Sequence, residues 1–258
     1  MEFNRHSIAN KAESGLLIDL DGTIIKKDDI ISDSVLNDLI KLKNIIPVSI
    51  VSGRGPEDVL KYSTLMGLYG PQYCENGSRI IDGDTGSIIH KVVLDLIIAE
   101  SIFNKIMSLN LQCIVISEDK TTINPKFIRG DVSTIVAYSD NYESLSNLEE
   151  LQFSFKKSII SQRSTDENGN VFLNFHSINS GKDKAVIHFS KYYNIHRSKL
   201  FSIGDGENDI SMIKSCGNSI AMGNSLEIVK RTAKYITDDV SNDGVSKAIN
   251  DLIIPNIS

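Results

Sequence analysis

A doubly wound, Rossmann-like α/β domain with a parallel sheet, interrupted by an inserted α+β cap, is the fold this sequence predicts. Three observations carry the expectation. Short continuous apolar runs at 15–18 and 47–51 are each followed by a polar, glycine-containing loop and then a stretch of helical periodicity, the pattern of strands buried on both faces of a parallel sheet and joined by helices. The same style resumes near Gly181 after a strand-rich interval of different character. A chain of 258 residues is also long enough for one large domain or two modest ones, each with a real core.

In order, the first strand is Gly15-Leu16-Leu17-Ile18, which stops at Asp19. Leu36, Leu39, Ile40 and Leu42 then recur at helical spacing over 34–43, with Ser32 or Asp33 placed to cap the helix. A second buried strand, 47–51, runs into Ser52-Gly53-Arg54-Gly55-Pro56 and a helix over 57–66. Residues 71–81 read as two short strands about a turn at Glu75-Asn76-Gly77. Beyond 82–86 the pattern changes: a helix over 92–109, strands at 113–117, 133–138, 158–162 and 171–176, and a helix over 145–155. From Lys182 the α/β alternation returns, with a helix to 193, a strand at 200–203, the loop Gly204-Asp205-Gly206-Glu207-Asn208-Asp209, a helix over 210–215, a strand at 219–222 and a helix over 226–232. The expected division is a core of 1–81 with 179–258 and a cap of 82–178, with hinges at 82–86 and 177–181.

Composition excludes several classes. Apolar residues at 41% and charged residues at 23% are ordinary globular usage, so a disordered chain is not expected. A net charge of −6 argues against a nucleic-acid partner and requires any phosphate site to be built locally. Cys74, Cys113 and Cys216 lie far apart with no C-x-x-C pair, which excludes zinc knuckles and thioredoxin-like chemistry and fits a reducing compartment. Residues 1–14 are polar, and no run of eighteen apolar residues occurs. The expectation is therefore a cytoplasmic protein with no membrane contact, a monomer or homodimer, whose partner is a small molecule.

In open parallel sheets ligands bind beyond the carboxyl ends of the strands, and there this chain places Asp19-Leu20-Asp21-Gly22-Thr23, Ser52-Gly53-Arg54 and Gly204 to Asp209, with Lys182 opening a helix. Mg²⁺ takes hard oxygen ligands; Asp19 and Asp205, with Asp209 as a third, can supply carboxylates and Asp21 a backbone carbonyl. The cation and Lys182 would offset the repulsion between Asp19 and a phosphate dianion. Asp19 then attacks phosphorus, Asp21 serves as acid and base, Gly22 lets the backbone turn close to the ligand, and Ser52 donates to a phosphoryl oxygen.

In this order, the motifs resemble the haloacid dehalogenase (HAD) superfamily, and more closely its Cof-type, or IIB, branch, which includes archaeal phosphoglycolate phosphatases and sucrose-phosphate-type enzymes. Glu75-Asn76-Gly77, Ala221-Met222-Gly223-Asn224 and Asp243-Gly244-Val245 add to the likeness. The resemblance covers 15–81 and 179–253; in the insert it reaches the location and size of a cap. It implies a Mg²⁺-dependent phosphatase acting on a small-molecule phosphate ester through an aspartyl-phosphate. Asp19 would be the nucleophile and Asp21 the acid/base; Asp19, Asp21, Asp205 and Asp209 would form the metal group; and Thr23, Ser52, Gly53, Arg54, Lys182 and Asn208 would bind substrate. The lysine motif departs from the branch's usual Lys-Gly-x-Ala-Leu: here it reads Lys182-Asp183-Lys184-Ala185-Val186, and Lys184 competes with Lys182 for the role. A phosphotransferase or mutase on the same chemistry is the alternative, and a non-catalytic phosphate binder is disfavoured because it needs no acid/base. His6, His90, His176, His188 and His196 are scattered and read as structural or surface residues; Lys126 and Arg129 read as exposed cap cations, with contact to a substrate's carboxylate or hydroxyls as the alternative role.

Overall fold

The computed structural model describes residues 12–26, 29–117, 120–139, 143–165 and 170–257; the polar N-terminal stretch with His6 lies outside the described residues up to residue 11. The chain divides into two compact units, one of residues 1–89 with 182–258 and one of 90–181.

The first unit begins with β1 (Gly15–Ile18), buried throughout. α1 (Asp33–Leu42) follows, capped by Ser32, whose hydroxyl accepts the Val35 N–H. Next come β2 (Val48–Ile50), α2 (Pro56–Met66), β3 (Pro71–Cys74) and β4 (Arg79–Asp82), and then β5 (Ile88–Lys91), within which the division at 89/90 falls. β3, β4 and β5 form a small three-stranded sheet.

The second unit contains α3 (Leu96–Ser108), β6 (Gln112–Ser117), β7 (Lys120–Ile123), β8 (Val132–Ser139), α4 (Ser146–Ser154), β9 (Ile159–Thr165) and β10 (Val171–Ser177). Its five strands form an antiparallel sheet in the order β7-β6-β8-β10-β9. Ala99, Ile102 and Ile106 of α3 and Leu148 of α4 pack with Cys113, Val115, Ile135, Ala137, Leu173 and Phe175, the alternate residues of three strands, in a core of its own.

The first unit resumes with α5 (Lys182–Tyr192), β11 (Leu200–Gly204), α6 (Ile210–Ser215), β12 (Asn218–Ala221), α7 (Glu227–Thr232), β13 (Tyr235–Ile236) and α8 (Gly244–Lys247). Its main sheet is parallel in the order β13-β12-β11-β1-β2. The strand order reverses beside β1, so a topological switch point lies between β1 and β11. Alternation along β1 sends Leu16 and Ile18 into one core with Leu39, Val59 and Ile249, and Leu17 into the other with Val186, Phe189 and Met212. That two-sided burial is why the strand reads as an unbroken apolar run.

The expected doubly wound parallel sheet is present. The units divide later than the 81/82 and 178/179 boundaries read from the sequence. Asp82 to Gly86 is not a free connection: Asp82 Oδ1 accepts the N–H groups of Asp84 and Thr85, at 3.1 and 2.9 Å, and so turns the chain into β5. Ser180 likewise bonds back within the second unit, to the Ser177 carbonyl and to His176 Nδ1. β7 was not foreseen, because all four of its residues are exposed and leave no apolar alternation.

Leu39 is fully buried between α1 and the sheet. Leu39→Ala should therefore lower unfolding free energy by about 2–5 kcal/mol, read from urea denaturation followed by circular dichroism. A loss below about 1 kcal/mol would mean that this core face is not packed as described.

Candidate active site

The site grows from the carboxyl ends of β1, β2 and β11. The Asp19 N–H continues the ladder onto the Ile203 carbonyl at 3.0 Å, so Asp19 leaves the sheet in fixed register. Gly22 has φ 73°, and a Cβ there would run into the Asp205 carboxylate; only glycine gives both the left-handed turn and that approach. On β11, the missing side chain of Gly204 admits Asp209, whose Cγ lies 2.5 Å from where a Cβ would stand. Asp209 Oδ2 accepts the N–H groups of Asp205 and Gly206, at 3.0 and 2.9 Å, and locks the loop.

Lys182 is fully buried, and its ammonium donates to Asp19 Oδ1 at 2.7 Å and to Asp209 Oδ1 at 2.6 Å. Burial works against the charged lysine, but the two carboxylates overcome it and raise its pKa above the ordinary value. Lys184 is half-exposed and paired with Asp183, so Lys182 is the lysine brought into the cluster. Burial, then the Asp209 carboxylate, push Asp19 upward, while Lys182 pulls it down. Burial and Asp209 also raise Asp205 to about 7.

Carboxylate oxygens of Asp19, Asp205 and Asp209 lie within 4.8 Å of one another. Thr23 Oγ1 braces Asp205 Oδ1 at 3.1 Å, and Asn224 Nδ2 reaches Asp205 Oδ2 at 3.3 Å and the Gly22 carbonyl at 2.9 Å. Three carboxylates face one ammonium. This all-oxygen donor set fits a hard dication such as Mg²⁺.

The other predicted residues distribute around this cluster. The Asp21 carboxylate lies apart from it, gripped by Arg54 through Nη2 at 2.6 Å and Nε at 3.0 Å. Arg54 Nη2 also bonds Asp29 at 2.5 Å, so the arginine expected to bind substrate is engaged by two carboxylates. Ser52 is fully buried, and its Oγ accepts the Arg54 N–H at 3.1 Å. Gly53 is exposed beside it. Asn208 Nδ2 donates to Asn76 Oδ1 at 3.1 Å. Of the histidines, His188 pairs with the Tyr73 hydroxyl at 3.0 Å, His176 is buried against Ser180 and Gln162, and His196 caps a short turn. Asn224 and Asp29 carried no assigned role in the sequence. Asn224 stood inside a motif that pointed to the family without revealing its contact, and Asp29 carried no signal.

The raised Asp205 gives a pH prediction. The folded metal-free protein keeps a proton that the unfolded chain has lost between about pH 4 and 7. This contribution to stability is whole below about pH 4 and is lost as pH rises through about 7. Melting temperature in EDTA should fall from about pH 5 to 8, and Mg²⁺ should raise it more at pH 8, because cation and proton compete for the same oxygens. An equal Mg²⁺ effect at both pH values would contradict the cluster as a cation site.

The chain is similar to known proteins. A Bacillus subtilis 5-amino-6-(5-phospho-D-ribitylamino)uracil phosphatase is 40% identical over 85 residues, a match spanning only 33% of each chain. A second Bacillus subtilis protein of the same name is 24% identical over 284 aligned positions, covering 92% of this chain and 97% of its own. A haloacid dehalogenase-like hydrolase structure from B. subtilis superposes with a TM-score of 0.81 at 22% identity, covering 92% of this chain and 99% of that one. Residues 16–144 and 126–249 match the model of the haloacid dehalogenase-like hydrolases, and to that family this chain belongs.

Proposed function

We propose that this hydrolase is a Mg²⁺-dependent phosphatase that removes phosphate from a small metabolite through an aspartyl-phosphate on Asp19. The observation that carries the reading is the buried Lys182 ammonium held between Asp19 and Asp209. A buried cation on a carboxylate at a strand end is what a nucleophile needs in order to meet an anionic phosphoryl group. The names of the Bacillus subtilis relatives support a phosphate monoester as substrate and, within that class, a metabolite carrying a sugar-like chain. A short phosphorylated acid belongs to the same range.

Asp19 attacks phosphorus and the bond to the leaving oxygen breaks. Asp21 gives that oxygen a proton, then takes one from the water that attacks the acyl phosphate, so that inorganic phosphate leaves and Asp19 is restored. Arg54 holds Asp21 through two nitrogens and sets where its carboxylate stands. Lys182 and the Ser52 hydroxyl meet phosphoryl oxygens. Asp19, Asp205 and Asp209 would hold Mg²⁺, which when bound supplies charge neutralisation for the phosphoryl group. The second unit, taken by itself, carries a cavity of about 340 Å³ lined in part by Lys126, Phe127 and Arg129.

Phosphate release from a panel of phosphorylated metabolites and an aryl phosphate tests this reading. Turnover should require Mg²⁺ and stop in EDTA. Asp19→Asn should still fold, with a shifted melting temperature because Lys182 loses one of its two counter-charges, and should lose at least about a thousandfold in kcat, since an amide cannot attack phosphorus. Turnover near wild type by the folded variant would remove Asp19 from the mechanism.

A further inference from the structure

Glu75, Asn76 and Gly77 follow β3 with φ of 51°, 55° and 89°. Three consecutive left-handed residues, two of them not glycine, persist only where their surroundings hold them. Here the backbone is held by the Glu75 N–H on the Arg54 carbonyl at 2.9 Å and the Asn76 N–H on the Ser52 carbonyl at 2.8 Å. Glu75 is buried and paired with Arg79, Nε to Oε1, at 3.3 Å. None of these contacts uses the Asn76 side chain.

That side chain makes a different connection. Asn76 is buried, and its amide lies over Gly53, with Nδ2 3.5 Å from where a Cβ would stand. Its Oδ1 accepts from Asn208 Nδ2 at 3.1 Å. Asn208 in turn sits tight on Gly206, 2.5 Å from the position of a Cβ there. The Asn76–Asn208 pair thus joins the turn after β3, itself bonded to the segment after β2, to the loop after β11; β2 and β11 are not neighbours, because β1 lies between them. Asp19, the residue proposed to react, stands at the end of that intervening strand.

We infer that Asn76 is a positioning residue that registers the Ser52–Arg54 segment against the Asp205–Asp209 loop through Asn208. Its catalytic consequence rests on the phosphatase reading. The left-handed backbone presents the asparagine amide at this junction; a glycine would keep the turn and lose the tie.

Asn76→Gly therefore separates the two roles. Glycine suits the observed φ, so melting temperature should be retained or raised. On an aryl phosphate, kcat should fall at least about tenfold with KM within about threefold, Asn208→Ala should match it, and the double variant should be no worse than either single by more than about twofold. Hydrogen–deuterium exchange read by mass spectrometry adds an arm that needs no turnover: exchange should quicken at 205–209 in Asn76→Gly and at 75–77 in Asn208→Ala. Wild-type kcat in Asn76→Gly, losses that multiply in the double variant, or unchanged exchange at 205–209 would each overturn the inference. A wild-type protein that releases no phosphate from any ester sinks the phosphatase reading instead, and the exchange arm still decides the tie.

Discussion

The buried ammonium of Lys182 is the interaction on which the rest of the site depends. Withdrawing a lysine from water costs several kcal/mol, and only well-placed counter-charges repay it. Asp19 and Asp209 do so at 2.7 and 2.6 Å. The debt is mutual: without Lys182, two buried carboxylates would face each other and Asp205 with no cation among them, a change of the kind that costs about 3–5 kcal/mol. Folding and the readiness of Asp19 for an anionic ligand therefore use the same contacts. The three groups come from positions 19, 182 and 209, so the trio forms only when β1, α5 and the loop after β11 have assembled.

Backbone devices serve that trio. The reversal of strand order beside β1 opens the crevice, and the two strands lining it deliver Asp19 and Asp205. Gly204 and Gly22 clear space that no other residue leaves: the first for Asp209, the second for Asp205. Asp209 then serves twice, bonding the loop N–H groups through one oxygen and Lys182 through the other. Asp21, the proposed acid/base, is exposed instead and is held by Arg54, which also pairs with Asp29. The two aspartates proposed as nucleophile and proton carrier occupy different environments, one buried and one exposed.

Much of this was legible in the sequence because the groups concerned lie at the ends of strands buried on both faces. Gly15-Leu16-Leu17-Ile18 announces such a strand, and the polar run after it marks the site. Lys182 could be preferred to Lys184 only through the register of Ala185 and Val186; the structure supplies the reason, since Lys182 points inward and Lys184 pairs with Asp183 at the surface. Contacts between distant segments were not legible. Nothing local links Arg54 to Asp29, Asn224 to Asp205 or Asn76 to Asn208, since polar pairs leave no periodicity. The boundary at 89/90 was missed for a related reason: a turn held by Asp82 looks like a flexible connection when only its composition is read.

The claim at the centre is that phosphate passes through a covalent bond to one buried carboxylate. The most direct measurement is to mix the Asp21→Asn variant with Mg²⁺ and an aryl phosphate, quench in acid, reduce with borohydride, and sequence the peptides by mass spectrometry. Reduction converts an aspartyl-phosphate to homoserine, and the account predicts that conversion at position 19 alone. Turnover by the wild-type protein with no modified residue at Asp19 under these conditions, or conversion at another aspartate, would contradict it.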